Sequence, residues 1–108
     1  GIYKKKDAFA VRQSVKNLLM TNHGELPFRP YYGGNLNDLL FSLSTDLESS
    51  DVEDNVRFAI ERYEPRARIQ TIRSTIRPDY NSIDVTIVFE VINTQKVVTL
   101  NVNIARTR

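Results

Sequence analysis

The sequence predicts an α+β domain, with about three helices packed on one face of a small antiparallel β-meander. Three observations carry this reading: apolar residues recur at helical spacing up to Tyr63, short β-branched alternating runs follow from Ala67, and Pro65 stands between the two halves. Proline offers no N–H to an upstream carbonyl and biases Glu64 away from the α region, so a helix that reaches Tyr63 stops there. Glu61-Arg62-Tyr63-Glu64-Pro65-Arg66 is therefore the hinge of the chain. Glu64 and Arg66 are expected on display at a tight, rigid connection, where opposite charges grip a partner. The plainer alternative is a helix terminator flanked by solvated surface charges.

Taken in order, Ala8, Val11, Val15, Leu18 and Leu19 form one apolar stripe, which predicts an amphipathic helix from Asp7, its N-terminal cap, to about Thr21. Gly24 marks the exit from that helix. Residues 25–34 read as a loop, because Pro27 and Pro30 forbid continuous helix. Its rings, Phe28, Tyr31 and Tyr32, either fold back over the core or form a binding surface. Leu36, Leu39, Leu40, Leu43 and Leu47 predict a second helix over 35–47, capped by Asn35 and with Asp38 in its first turn. Ser50 and Glu53 have the spacing of a capping box, which opens a third helix ending near Tyr63.

Beyond the hinge, residues 67–76 predict a strand. Ile69 and Ile72 break its strict alternation, which a bulge or two-sided burial reconciles. Arg77-Pro78-Asp79-Tyr80-Asn81 is turn chemistry. Ile83, Val85, Ile87, Phe89 and Val91 then alternate with polar residues in the clearest strand of the chain. After a short connection, Val98, Leu100, Val102 and Ile104 point inward, while Thr99, Asn101 and Asn103 keep the other face polar. This final strand is expected at a sheet edge, where unpaired amides and carbonyls invite strand addition by another chain.

Composition narrows the function. At 108 residues the chain reads as a single domain over residues 1–108, able to bury about 65% of its unfolded surface. With no cysteine, disulfides, thiolate metal sites and cysteine nucleophiles are excluded. His23 is the single histidine, so the chain assembles neither a histidine metal cluster nor a serine triad by itself. No cofactor and no metal are expected. A net charge of +2 with scattered Lys and Arg argues against a nucleic-acid partner, and Lys4-Lys5-Lys6 reads as a solvated lead-in. No apolar run approaches the ~20 residues that span a bilayer. Gly33-Gly34 lacks the context of a phosphate loop and reads as a flexible turn, and Asp51, Glu53 and Asp54 read as partners of a helix dipole.

Four stretches carry a resemblance: Ile2-Tyr3-Lys4-Lys5, the run Ala10-Val11-Arg12-Gln13-Ser14-Val15-Lys16-Asn17-Leu18-Leu19-Met20-Thr21-Asn22, then Gly24-Glu25-Leu26-Pro27-Phe28-Arg29-Pro30, and Tyr63-Glu64-Pro65-Arg66. In this order they resemble the gene-25-like baseplate wedge family of contractile-tailed phages, which includes a baseplate component of the bacterial type VI secretion machine. The resemblance implies a structural adaptor of a tail baseplate, assembled in the host cytoplasm, without turnover or small-molecule substrate. It implies that Glu64, Pro65 and Arg66 dock to the wedge core. It also implies that the last strand, with Thr99, Asn101 and Asn103, shares a sheet with the tail-sheath subunit that seeds sheath growth. Family members carry a segment before the part matching Ile2, so the chain is expected to lack it.

The same family has been labelled lysozyme-like, which raises a peptidoglycan hydrolase as the alternative. Such an enzyme needs one carboxylic acid held protonated near neutral pH and a second carboxylate or activated water across the glycosidic bond. Glu64 suits this poorly if Arg62 or Arg66 lies close, because a nearby cation favours the ionised form. Glu25 is the better formal candidate.

Overall fold

The computed structural model describes residues 2–41 and 48–105. Among these, α1 (Ile2–Met20), α2 (Leu36–Phe41) and α3 (Ser49–Tyr63) precede β1 (Ala67–Arg77), a single 3-10 turn (Pro78–Tyr80), β2 (Ser82–Val91) and β3 (Lys96–Ala105). The α+β class and the meander are those the sequence predicts.

The stripe Ala8, Val11, Val15, Leu18 and Leu19 is buried on α1 as expected. The helix begins at Ile2 and not at Asp7, since nothing in residues 2–6 breaks a helix and lysine propagates one well. Asp7 is thus interior to α1 and exposed, and it does not cap.

The loop over residues 21–35 is tied to the end of α1. The Gly34 N–H donates to the Leu18 carbonyl at 2.9 Å, and the Asn35 N–H to the Thr21 carbonyl at 3.2 Å. Gly33 has a φ of 126°, and a Cβ there would stand 2.2 Å from the Thr21 carbonyl oxygen. The glycine pair is therefore a packed close approach of two backbones, not the flexible turn expected.

In α2, Leu36 and Leu40 are buried. Leu43 and Leu47, through which the sequence extended this helix, lie outside the described residues. Asn35 has a left-handed backbone, φ 56°, and its side-chain Oδ1 accepts from the His23 N–H at 3.1 Å. Its side chain thus closes the loop, while its carbonyl accepts from the Leu39 N–H at 3.2 Å.

The capping box of α3 forms two residues earlier than the sequence suggests. The Glu48 N–H donates to Asp51 Oδ2 at 3.0 Å. Glu53, the residue expected to close the box, instead accepts from the N–H of Ser74 at 3.0 Å and is drawn to β1. Val52, Val56, Ala59 and Ile60 face the core, one apolar side of an amphipathic helix.

The sheet runs in the order β1-β2-β3, all antiparallel. The register of β1 against β2 shifts between Ile69 and Thr71, so Gln70 is bulged out. The bulge restores a common inward face, with Ile69 opposite Phe89 and Ile72 opposite Ile87. Central β2 buries Ile83, Val85, Ile87, Phe89 and Val91 under the helices. Each such fully buried side chain stabilises the fold by about 1.5–3 kcal/mol. Leu100, Val102 and Ile104 of β3 complete the layer.

Candidate functional site

At the corner after α3, Glu64 leaves helical geometry, φ −135° and ψ 75°, as its position before Pro65 dictates. Its N–H still donates to the Ile60 carbonyl at 2.8 Å. The side chain turns inward and is only 4% exposed. Glu64 Oε2 accepts from Arg66 Nε at 2.7 Å, and Oε1 accepts from Arg66 Nη2 at 3.1 Å. Ser14 Oγ of α1 donates to Oε1 at 2.5 Å. Two hydrogen bonds from one guanidinium form the fork geometry in which arginine holds a carboxylate best.

The sequence reading expected Glu64 on display, and the structure instead buries it. It is the inner half of a clamp, because a carboxylate with three charge-assisted donors is better satisfied in the chain than in solvent. Burial pushes its carboxyl up, but the Arg66 hydrogen bonds, the Ser14 hydroxyl and the Arg66 charge outweigh burial and hold it below its ordinary value. Pro65 is exposed, and the Arg66 side chain is half-exposed. The Arg66 carbonyl accepts from the Ile92 N–H at 2.9 Å, so the corner sits at the same end of the sheet as the β2–β3 turn.

Ser14 was not singled out from the sequence, yet a signal for it exists. It lies three residues after Val11 and four before Leu18, the spacing of the buried stripe, where a hydroxyl needs a partner.

The outer side of β3 follows from the register. The Ser74 N–H points away from β2, since Glu53 accepts it, and the Ile92 N–H points toward the corner before β1. Backbone groups of an antiparallel strand alternate between its two neighbours. Val85, paired with both Ser74 and Val102, thus directs its N–H and C=O to β3. Along β3 the even-numbered residues then bond to β2, and Thr99, Asn101 and Asn103 direct their backbone groups outward. On the polar face, Asn101 Nδ2 donates to Thr86 Oγ1 at 2.8 Å and Asn103 Nδ2 to Asp84 Oδ1 at 2.5 Å. The two free edges differ, because α3 reaches over β1 through Glu53 and Ser49, whose carbonyl accepts from Ser74 Oγ at 2.9 Å.

Glu25 is exposed in the 21–35 loop. Tyr32 folds back against Tyr63, ring centroids 5.1 Å apart, whereas Phe28 and Tyr31 remain exposed. Among the described residues no group of three His, Asp or Glu is placed to hold a metal ion, and no helix is long and apolar enough to cross a membrane.

Among the described residues, three helices on one face of a three-stranded sheet and a corner locked by an ion pair define a small α+β domain. The family model for baseplate wedge protein gp25 matches residues 6–96, and the chain belongs to that family. Baseplate wedge protein gp25 of Enterobacteria phage T4 is 33% identical over 82 residues, which cover 76% of this chain and 59% of the phage protein. The chain thus spans less than two thirds of the length of that relative. A chain of the anti-feeding prophage baseplate is 30% identical, with 78% of this chain and 68% of that chain covered at a TM-score of 0.64. The fold is shared with a protein described as a tail lysozyme from Geobacter sulfurreducens, at a TM-score of 0.78, 22% identity and coverage of 94% and 92%. It is shared also with a chain of the type VI secretion baseplate complex, at a TM-score of 0.74, 13% identity and full coverage of both.

Proposed function

We propose that the chain is a structural adaptor of a contractile-tail baseplate, in the virion of a phage in preference to a type VI secretion apparatus. It acts by presenting two docking surfaces. The observation that carries this reading is the outer side of β3, where among the described residues no group bonds the outward backbone donors and acceptors of Thr99, Asn101 and Asn103, whereas α3 reaches β1 at Ser74. Such an edge recruits an added strand, with affinity from the backbone ladder, and a tail-sheath subunit is the partner the family membership favours. The second surface is the corner: Pro65 and the outer half of Arg66 contact the wedge core, and Glu64 holds Arg66 in place from inside.

Turnover is not part of this reading. The clamp on Glu64 favours its ionised form, the opposite of what a general acid requires, and Glu25 is exposed to solvent.

Co-expression with the wedge and sheath subunits of the same source tests the proposal. The chain is expected to co-purify with both, and to leave peptidoglycan turbidity unchanged at substoichiometric amounts. Loss of neither partner on blocking the corner and the β3 edge overturns the assignment of surfaces. Clearing of peptidoglycan that vanishes in Glu25→Gln overturns the adaptor reading itself.

A further inference from the structure

A cleft of about 420 Å³ lies between the 21–35 loop and α3, and its lining includes none of Pro65, Arg66, Thr99, Asn101 and Asn103. It is lined by the Tyr31, Phe58 and Tyr63 rings, by Ala59 and Gly33, and by Arg62. This volume falls in the lower part of the range of preformed ligand pockets, roughly 300–1,000 Å³. Phe58 is 63% and Tyr31 70% exposed, so both rings present apolar surface at the cleft.

The electrostatics are one-sided. Among the described residues no Asp or Glu lines the cleft. Arg62 stacks over Phe58 and Tyr63, with its guanidinium carbon 6.0 and 5.5 Å from the ring centroids. Arg29 lies 4.8 Å from the Tyr32 centroid and 5.2 Å from that of Tyr63. Neither arginine is among the ion pairs of the described residues, which join Arg66, Arg68 and Arg77 to carboxylates. Both guanidinium planes are thus pre-set by stacking while their N–H donors stay available, so little side-chain entropy is lost when a carboxylate arrives.

We infer that this cleft docks an acidic segment of a partner protein, which inserts an aromatic side chain between Tyr31 and Phe58 and places flanking carboxylates on Arg62 and Arg29. Aromatic anchors in a pocket with charged rims are the usual source of binding energy at protein interfaces. The charge complementarity selects the segment, since a basic flank would meet two unpaired cations.

The test is amide chemical-shift mapping on the full chain with three synthetic peptides of equal length, built on Asp-Trp-Asp, Lys-Trp-Lys and Asp-Ala-Asp in a Gly/Ser frame. The first is expected to shift the amides of His23, Gly33, Asn55 and Phe58, and to bind at least about tenfold more tightly than the other two. Arg62→Glu and Phe58→Ala, both at exposed positions, are each expected to weaken it by a similar factor while the remaining spectrum stays folded. Equal binding of Lys-Trp-Lys or Asp-Ala-Asp overturns the proposal. So does unchanged affinity in either variant, or the lack of any cleft shift at about millimolar peptide, the weak limit of a specific contact.

Discussion

Glu64 and Arg66 face each other across Pro65, with Arg66 Nε 2.7 Å from Glu64 Oε2, yet the carboxylate is 4% exposed and the guanidinium side chain 50%. One half of the pair belongs to the core and the other to the surface. Ser14 completes the inner half, so the corner joins α1 to the start of β1 through a single carboxylate. Glu64→Ala is expected to lower stability by about 2–3 kcal/mol and Ser14→Ala by about 1–2 kcal/mol, the range for hydrogen bonds to charged groups. Because the two share one interaction, the double variant should cost less than the sum of the singles. Urea midpoints at unchanged m-value measure this, and strict additivity would show that the serine does not act through the carboxylate.

The clamp also sets a pH response. Glu64 is held below its ordinary value near 4.5 in the folded chain, so the folded state binds its proton less readily than the unfolded one. Its contribution is complete above about 4.5 and is lost as pH falls through the lower folded value. Asp84 is likewise lowered, by Asn103 and Arg77, but it is more exposed and its share is screened. The stability gap between the native chain and Glu64→Gln is therefore expected to be constant from pH 7 to 5 and to shrink below 4.5. A gap that widens on acidification would contradict a lowered carboxyl.

The glycines of the first loop separate two kinds of constraint. Gly24, at φ 87°, has open space where a Cβ would stand, so Gly24→Ala carries only the backbone cost, about 1–2 kcal/mol. Gly33 combines φ 126° with the Thr21 carbonyl 2.2 Å from a Cβ, and the backbone itself must move. Gly33→Ala is expected to cost clearly more, about 3 kcal/mol or above, since the strain adds to the collision. Thermal midpoints of the two variants should differ by roughly 4–8 °C for each kcal/mol between them.

What the sequence made legible was what repeats. The α1 stripe, the alternation in β2 and β3 and the stop at Pro65 follow from spacing and are present, and of the two ways to reconcile Ile69 with Ile72, a bulge or two-sided burial, the register shows the bulge. What it did not make legible are partnerships made across the fold. Glu64 reads as surface charge until Ser14 is brought beside it from α1. Glu53 reads as a cap residue until Ser74 competes for it, and Gly33-Gly34 reads as slack until the end of α1 closes on it. The outward row Thr99, Asn101 and Asn103 was legible as a polar face, but the direction of its backbone groups needed the register against β2.

That direction separates two kinds of proline substitution along β3. At Asn101 or Asn103 the amide points away from β2, so a proline removes no bond of the sheet and blocks only what is added outside it. Both positions are equivalent here, because residues two apart on a strand face the same neighbour. Asn101→Pro also gives up the side-chain bond to Thr86, which Asn101→Ala removes alone and so controls for. At Val102, a buried residue whose amide faces Val85, a proline breaks the ladder and the core together. Asn101→Pro and Asn103→Pro are therefore expected to keep a cooperative unfolding transition within about 1–2 kcal/mol of the native chain. Val102→Pro should lose that transition altogether. With the sheath subunit and baseplates of the same source, both asparagine variants are expected to assemble baseplates on which no sheath grows, while Asn101→Ala supports growth. Normal sheath on baseplates carrying folded Asn101→Pro would remove the outer edge of β3 from the list of docking surfaces, and a sheath lost equally in Asn101→Ala would move the contact to the polar face.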